Sequence, residues 1–184
     1  MDQNSLIYYG GSFNPPHISH VLFVSALRAY YPEAEVWIGP TYSHAFNKSL
    51  LPFEDRVQMC HAAFDLISGV RITTIERELH ESTSYTVDVV REILKREPAK
   101  KVYVAVGADI VPTLPKWREY EALCQMGEFL VFPREGYDND CAIEMPHLPE
   151  ISSSSIREAM RIGDWGFVRK FVPAKVVELL RILA

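Results

Sequence analysis

The sequence predicts an α/β fold built on an open parallel sheet, and three observations carry that expectation. Strand-like apolar runs recur along the 184 residues at Leu6–Tyr9, Glu35–Ile38, Val70–Ile75, Lys101–Val106 and Glu128–Phe132. Helical periodicity fills most of the gaps between them, the alternation that a parallel sheet with crossover helices produces. Four segments rich in polar and turn-forming residues, 10–20, 39–48, 107–118 and 133–136, each follow a strand. Ligands of open parallel sheets bind beyond the carboxyl ends of the strands, so these four segments are expected to meet at one site.

Each element has its own signal. Leu6–Tyr9 runs into Gly10-Gly11-Ser12-Phe13-Asn14-Pro15-Pro16-His17-Ile18-Ser19-His20, after which Val21–Tyr30 reads as a helix. Glu35–Ile38 is followed by Gly39–Pro52, the longest strand-to-helix connection, of a kind that more often forms a lid or a binding wall than scaffolding. Helices are then expected over Phe53–Ile67, Tyr85–Arg96 and Arg118–Met126, and over Ser155–Ile162, Trp165–Lys170 and Pro173–Leu183 after the last strand. Pro173 suits a first helical position, and Ser155 with Glu158 has the spacing of a capping box.

Composition bounds the function. With 48% hydrophobic residues, no repeat and no long linker, residues 1–184 are expected to form one domain that needs neither disulfides nor a structural metal. A net charge of -5 argues against nonspecific adhesion to nucleic acid or to an anionic membrane, so a small anionic ligand would need a local basic site. Cys60, Cys124 and Cys141 lie far apart without a Cys-x-x-Cys pair, which suits a reducing compartment. Met1–Asn4 carries no basic, apolar leader and no run reaches the ~20 apolar residues of a membrane span, so the expected address is the cytoplasm. A homo-oligomer is left open.

Two motifs carry chemistry. In the first, paired glycines and the two histidines His17 and His20 occupy a strand-to-helix turn. A helix start offers free backbone N–H groups and partial positive charge, glycines admit phosphate oxygens closely, and histidines three apart address one anion together. The ordinary alternative is a helix start with a surface histidine. The second is Ile151-Ser152-Ser153-Ser154-Ser155-Ile156-Arg157, where hydroxyls open a helix and an arginine follows one turn in. Ser155 alone could be an N-cap, but hydroxyls, N–H groups and Arg157 together form an anion site suited to triphosphate oxygens.

Taken together, Gly10-Gly-Ser-Phe-Asn-Pro-Pro-His17-x-x-His20 and Ile151-Ser-Ser-x-x-Ile-Arg157 resemble the His-x-Gly-His nucleotidyltransferase superfamily, and within it the nicotinate/nicotinamide mononucleotide adenylyltransferase family. The resemblance runs nearly the full chain. Ser84-Tyr85-Thr86-Val87-Asp88, Gly107-Ala108-Asp109, Leu114-Pro115-x-Trp117 and Phe132-Pro133-Arg134-Glu135-Gly136 follow in the family's order. It implies a Rossmann-like α/β sheet of nucleotidyltransferase type and transfer of AMP from ATP to a pyridine mononucleotide, with Mg2+ accompanying the ATP and no dedicated protein metal site.

The resemblance also implies roles. His17, His20, Lys48 and Arg157 would neutralise charge during transfer, with His20 on the α-phosphoryl group and Ser153 and Arg157 on the β- and γ-phosphates. Gly10, Gly11, Ser12 and Phe13 would line the ATP site, and Gly107 and Asp109 would lie against the adenosine ribose. Asn14, Ser84, Tyr85, Thr86, Trp117 and Arg134 would serve the mononucleotide, Trp117 by stacking on its pyridine ring and Arg134 near its phosphate. His44 is a further candidate for the phosphates, whereas Arg56 reads as structural.

Ser19 departs from the pattern, standing where the family usually has glycine. It is expected either to donate another hydrogen bond to the triphosphate or to crowd it. Acceptor choice is open between nicotinate and nicotinamide mononucleotide, as two segments point to the first and the Tyr42–Leu51 loop to the second. Two rivals remain: a sister transferase acting on phosphopantetheine or a polyol phosphate, which should not require Trp117, and a noncatalytic nucleotide-binding module, which Ser19 would suit.

Overall fold

The computed structural model describes residues 1–43, 50–79, 85–134, 136–137, 143–145 and 148–183. Five strands, β1 (Ser5–Gly11), β2 (Glu35–Pro40), β3 (Val70–Ile72), β4 (Lys101–Gly107) and β5 (Gly127–Phe132), form one sheet in the order β3-β2-β1-β4-β5. Every pairing is parallel, with Tyr8 beside Trp37 on one side and Val104 on the other. Parallel strands need helical crossovers, and these cover both faces, which explains why the strands read as continuous apolar runs.

Alternate residues of the strands feed different cores. Leu6, Tyr8, Trp37, Val102, Val104 and Val106 face α3 (Ile75–Glu78), α4 (Thr86–Arg96) and α5 (Tyr120–Met126), meeting Ile75, Val87, Val90, Ile93 and Leu123. Ile7, Tyr9, Val36, Ile38, Ala105, Leu130 and Phe132 face α1 (Ile18–Tyr30) and α2 (Phe53–Phe64), meeting Phe23, Val24, Leu27, Cys60 and Phe64. A third cluster joins α2, through Met59, to α6 (Ser153–Arg161), α7 (Trp165–Phe171) and α8 (Ala174–Leu183). That third cluster brings the serine motif back to the first strand's turn, Ser153 meeting Pro15 across 138 residues of sequence.

Several boundaries differ from the sequence expectation, each for a local reason. α1 begins at Ile18 rather than Val21, so His20 lies inside the helix and His17 is its N-cap. β3 ends at Ile72, and Ile75 belongs to the short helix α3, which the apolar run concealed. Val111–Lys116, with two prolines, forms a 3-10 helix ahead of Trp117, and α2 stops at Phe64. α6 starts at Ser153, and its capping box pairs Ser152 with Ser155 instead of Ser155 with Glu158. Pro173 stands immediately before α8, where its carbonyl accepts from the Val177 N–H.

The order of strands reverses direction between β1 and β4, its first and fourth strands in sequence. At such a switch point the connections leave on opposite faces and open a crevice over the strand ends. The glycine–histidine turn follows β1 and Ala108-Asp109 follows β4, so both flank that crevice.

Candidate active site

Gly10 and Gly11 are the last residues of β1, paired with Gly39 and Pro40 of β2. A Cβ on Gly10 would stand 3.0 Å from the Tyr8 ring, and one on Gly11 would stand 3.2 Å from the Phe13 ring. The glycines therefore make room for aromatic rings of the chain itself beneath the crevice. Phe13 sits at φ 43, a left-handed conformation that costs a non-glycine residue about 1–2 kcal/mol. Burying its ring against Tyr9, His20 and Phe64 offsets this, since a buried phenylalanine contributes about 1.5–3 kcal/mol. The Asn14–Pro15 peptide bond that follows is cis.

This turn is held from below by polar side chains. Buried Arg56 of α2 donates from Nη1 to the Ser12 carbonyl at 2.9 Å and from Nε to the Leu51 carbonyl at 2.9 Å. Burial lowers its pKa from the usual guanidinium value. Asn14, 1% exposed, accepts from the Leu51 N–H through Oδ1 at 3.2 Å, so its side chain braces the start of α2. Across the sheet, the Glu76 carboxylate accepts from Tyr8 Oη at 3.1 Å and from the Tyr42 N–H at 2.9 Å, tying the segment after β2 to α3.

The two histidines stand face to face, their ring centroids 3.7 Å apart at 31°. The His17 N–H donates to His20 Nδ1 at 3.1 Å. A ring nitrogen that accepts carries no proton, so neutral His20 keeps its proton on Nε2, where it is a donor. Burial is the main cause that lowers both pKa values, to about 4 for His17 and well below the ordinary value for His20. The Arg134 guanidinium pushes the same way at both, and His17 does so at His20. Both rings are thus neutral at pH 7 in the free protein. His17 Nδ1 is buried and has no hydrogen-bond partner among the described residues. An orphaned buried polar atom costs about 1–3 kcal/mol, a cost that an anionic ligand oxygen would remove in the tautomer that carries the proton on Nδ1.

The start of α6 abuts this turn. Ser153 Oγ donates to the Pro15 carbonyl at 2.9 Å, and Arg157 donates from Nη1 to the Asn14 carbonyl at 2.9 Å and from Nη2 to Ser154 Oγ at 3.1 Å. Ser152 Oγ accepts from the Ser155 N–H at 3.1 Å. The Ser19 hydroxyl has its partner within the chain. Buried, it donates to the Pro149 carbonyl at 2.6 Å, away from the role expected of it, and so it removes the sequence argument for a disabled site.

On the β4 side, Asp109 Oδ1 lies 3.5 Å from Arg134 Nε, and a Cβ on Gly107 would overlap the Asp109 carboxylate. Close approach, and no unusual backbone, favours glycine there, since a side chain would displace the Asp109 carboxylate. Trp117 follows the 3-10 helix and packs, with Tyr85, against the core on the α4 side of the sheet. Its ring meets Phe129 edge-on with centroids 6.1 Å apart, and the Arg118 guanidinium lies 4.7 Å over Tyr85. Tyr85 is the N-cap of α4 and Thr86 its first residue.

The structure therefore brings together Gly10 to His20 with Ser153 and Arg157 by direct bonds, and places Arg134 within electrostatic reach of both histidines. Tyr85 and Trp117 pack against the core on the opposite face of the sheet, where Thr86 opens α4. Lys48, His44 and Ser84 lie outside the described residues, as do His80 and His147. His61 is an exposed α2 residue paired with Asp65. Sequence reasoning missed the joining of Tyr8, Glu76 and Tyr42, which no local pattern announces. Among the described residues no group of three or more His, Cys, Asp or Glu side chains could hold a metal ion. No helix among them is long and apolar enough to cross a membrane.

A five-stranded parallel sheet with two sets of anion donors meeting at its switch point is the framework of a nucleotidyltransferase. Residues 8–159 match the family model described as cytidylyltransferase-like. A curated relative from Anaeromyxobacter dehalogenans, named a probable nicotinate-nucleotide adenylyltransferase, is 35% identical over 170 residues, covering 91% of this chain and 89% of the relative. One of the same name from Myxococcus xanthus is 34% identical over 173 residues, covering 94% and 89%. Nicotinic acid mononucleotide adenylyltransferase of Plasmodium falciparum, solved in complex with NaAD, superposes with a TM-score of 0.80 at 22% identity over 97% of this chain and 95% of that one. The chain belongs to the nicotinate-nucleotide adenylyltransferase family, within the cytidylyltransferase-like nucleotidyltransferases.

Proposed function

We propose that residues 1–184 act as one catalytic domain that transfers AMP from ATP to nicotinate mononucleotide, releasing pyrophosphate. The observation that carries this reading is the junction of the two donor sets, where Ser153 and Arg157 bond directly to the Pro15 and Asn14 carbonyls beside the histidine pair. A triphosphate spanning that junction meets neutral imidazoles at one end and hydroxyls with a guanidinium at the other. The names of the relatives support nicotinate mononucleotide as the acceptor, and nicotinamide mononucleotide is the alternative to compare with it.

The acceptor's phosphate oxygen attacks the α-phosphorus in line. The bond to the bridging oxygen breaks, and the electron pair leaves with pyrophosphate. No bond to the protein forms, so catalysis consists of positioning and of donors aimed at the growing charge. His20 Nε2–H and His17 serve the α-phosphoryl group, and Lys48 and Arg157 the outer phosphates. The arriving phosphates favour the protonated forms of both histidines, opposing the burial that keeps them neutral in the free protein. Gly107 and Asp109 take the adenosine ribose, Arg134 the mononucleotide phosphate, and Ser84, Tyr85, Thr86 and Trp117 the pyridine ring, which as a cation suits an indole face.

Mg2+ enters with ATP as part of the substrate. The side chains at the junction are anion donors and Asp109 is paired with Arg134, so phosphate oxygens and water supply the ion's ligands. The three scattered cysteines suit a cytoplasmic setting. Pyrophosphate release with ATP and Mg2+ tests the reading: nicotinate mononucleotide should outpace phosphopantetheine by more than about tenfold in kcat/KM, a gap of about 1.4 kcal/mol. Preference for phosphopantetheine would overturn the acceptor.

A further inference from the structure

Three hydrogen bonds join the turn that carries the histidines to the chain around the start of α6. Two of them, Ser153 Oγ to the Pro15 carbonyl and Arg157 Nη1 to the Asn14 carbonyl, use groups that the proposed function assigns to phosphate oxygens. When nucleotide arrives, those donors have a charged acceptor to compete with the backbone carbonyls, and charge-assisted bonds are about twice as strong as neutral ones. The third bond is different. Ser19 is the second residue of α1, between the two histidines, and its hydroxyl reaches the Pro149 carbonyl at 2.6 Å across 130 residues of sequence.

The geometry of this bond makes it a fixed reference between the two donor sets. Ser19 is 3% exposed, so its proton has no competing water. Pro149 belongs to the irregular segment leading into the Ser152 cap, and its carbonyl also accepts from the Ile151 N–H at 2.9 Å. Ile151 is buried in the cluster formed by α6, α7 and α8. The segment is thus anchored to the helical layer through Ile151 and to α1 through Ser19. If the Ser19 tie is cut, Ile151 and Ile18 still pack in that one cluster and keep the layers together, but the hydrogen-bonded part of the spacing between the α6 donors and the histidines is lost once Ser153 and Arg157 exchange their backbone bonds for phosphate.

We propose that Ser19 is a positioning residue for the triphosphate: its bond to Pro149 keeps the α6 donors in register with the histidines while Ser153 and Arg157 change partners. The inference rests on ATP being the nucleotide that spans the two sets. It requires that removing the hydroxyl weaken ATP without touching the acceptor residues Tyr85, Thr86 and Trp117, which lie on the other face of the sheet.

The test compares Ser19→Ala and Ser19→Cys with the wild type, measuring ATP Kd by calorimetry and both KM values by pyrophosphate release. The cysteine variant fills the serine's volume with a poor donor, so it decides the question if the alanine variant does not fold. Losing one neutral hydrogen bond should weaken ATP binding about three- to tenfold, with the mononucleotide KM within about twofold of the wild type. An unchanged ATP Kd, or equal loss toward both substrates, would overturn the positioning role. If the wild type itself releases no pyrophosphate with any pyridine mononucleotide, the proposed reaction fails, while the ATP Kd comparison still decides Ser19.

Discussion

The two donor sets that meet at the crevice are built on opposite principles. The histidine pair is set into the fold: His17 is 3% exposed, His20 is half-buried, their rings stack at 3.7 Å, and desolvation holds both pKa values down. The α6 set is more open to solvent, with Ser152, Ser154 and the Arg157 guanidinium exposed and Ser153 half-buried. Neutral buried donors avoid the far larger cost of a buried charge while the site is empty, and gain most when charge develops beside them in a water-poor setting. A permanent cation on the surface attracts anions from a distance and grips ground state and transition state alike. On the proposed reading, the turn serves the chemical step and the helix start serves binding.

Breaking each side should affect different constants. His20→Ala should lower kcat about 100-fold, since one lost donor to developing charge costs about 3 kcal/mol. Arg157→Ala should instead raise the ATP KM by about ten- to a hundredfold, with a smaller change in kcat, because a charge-assisted bond contributes about 1.5–3 kcal/mol to binding. Steady-state kinetics of both variants decide the matter, and equal effects on the same constant would erase the distinction.

Acid should separate the two regions next. An unfolded histidine binds its proton near pH 6.5, and folded His17 does so at about 4. Between those values the unfolded chain holds more protons, so stability is complete above pH 6.5 and falls as pH drops toward 4. His17 alone accounts for up to about 3 kcal/mol of that loss. Urea unfolding at pH 7 and pH 4.5 should show a distinctly smaller difference in His17→Asn than in the wild type. The same acid sensitivity in the variant would show that burial of His17 is not its source.

The smallest expected effect concerns the α6 side. Ser152 Oγ accepts from the Ser155 N–H, and removing such a cap costs about 1 kcal/mol. In a chain of this size Ser152→Ala should lower Tm by roughly 2–4 °C. Because the cap shapes the turn without taking phosphate, the ATP KM should stay within about twofold. A tenfold rise would move Ser152 into the binding set.

Much of the site was legible because its chemistry is written in contiguous stretches. Residues 10–20 and 151–157 each pack their donors within about two turns of chain, and local spacing predicts helix starts at both. The boundaries were less legible where a helix begins inside a polar turn: nothing in Ile18-Ser19-His20 signals that the first turn of α1 is already formed, yet the His17 N–H finds its acceptor in His20. Arg56 read as structural, and the structure gives that word a content, since it holds the Ser12 and Leu51 carbonyls. The Glu76 bonds to Tyr8 and Tyr42 could not be read at all, because a lone glutamate in a charged stretch looks like a solvated face.

By itself, the sequence determined the layered α/β plan and both anion motifs, because hydrophobic period and helix-start chemistry are local properties of a chain. Only the tertiary structure decided that the motifs share one junction, which proton His20 keeps, and what Ser19 does. Those facts depend on a carbonyl 130 residues away, on burial, and on which neighbour reaches a ring nitrogen first. Such relations arise only when packing has closed the distance.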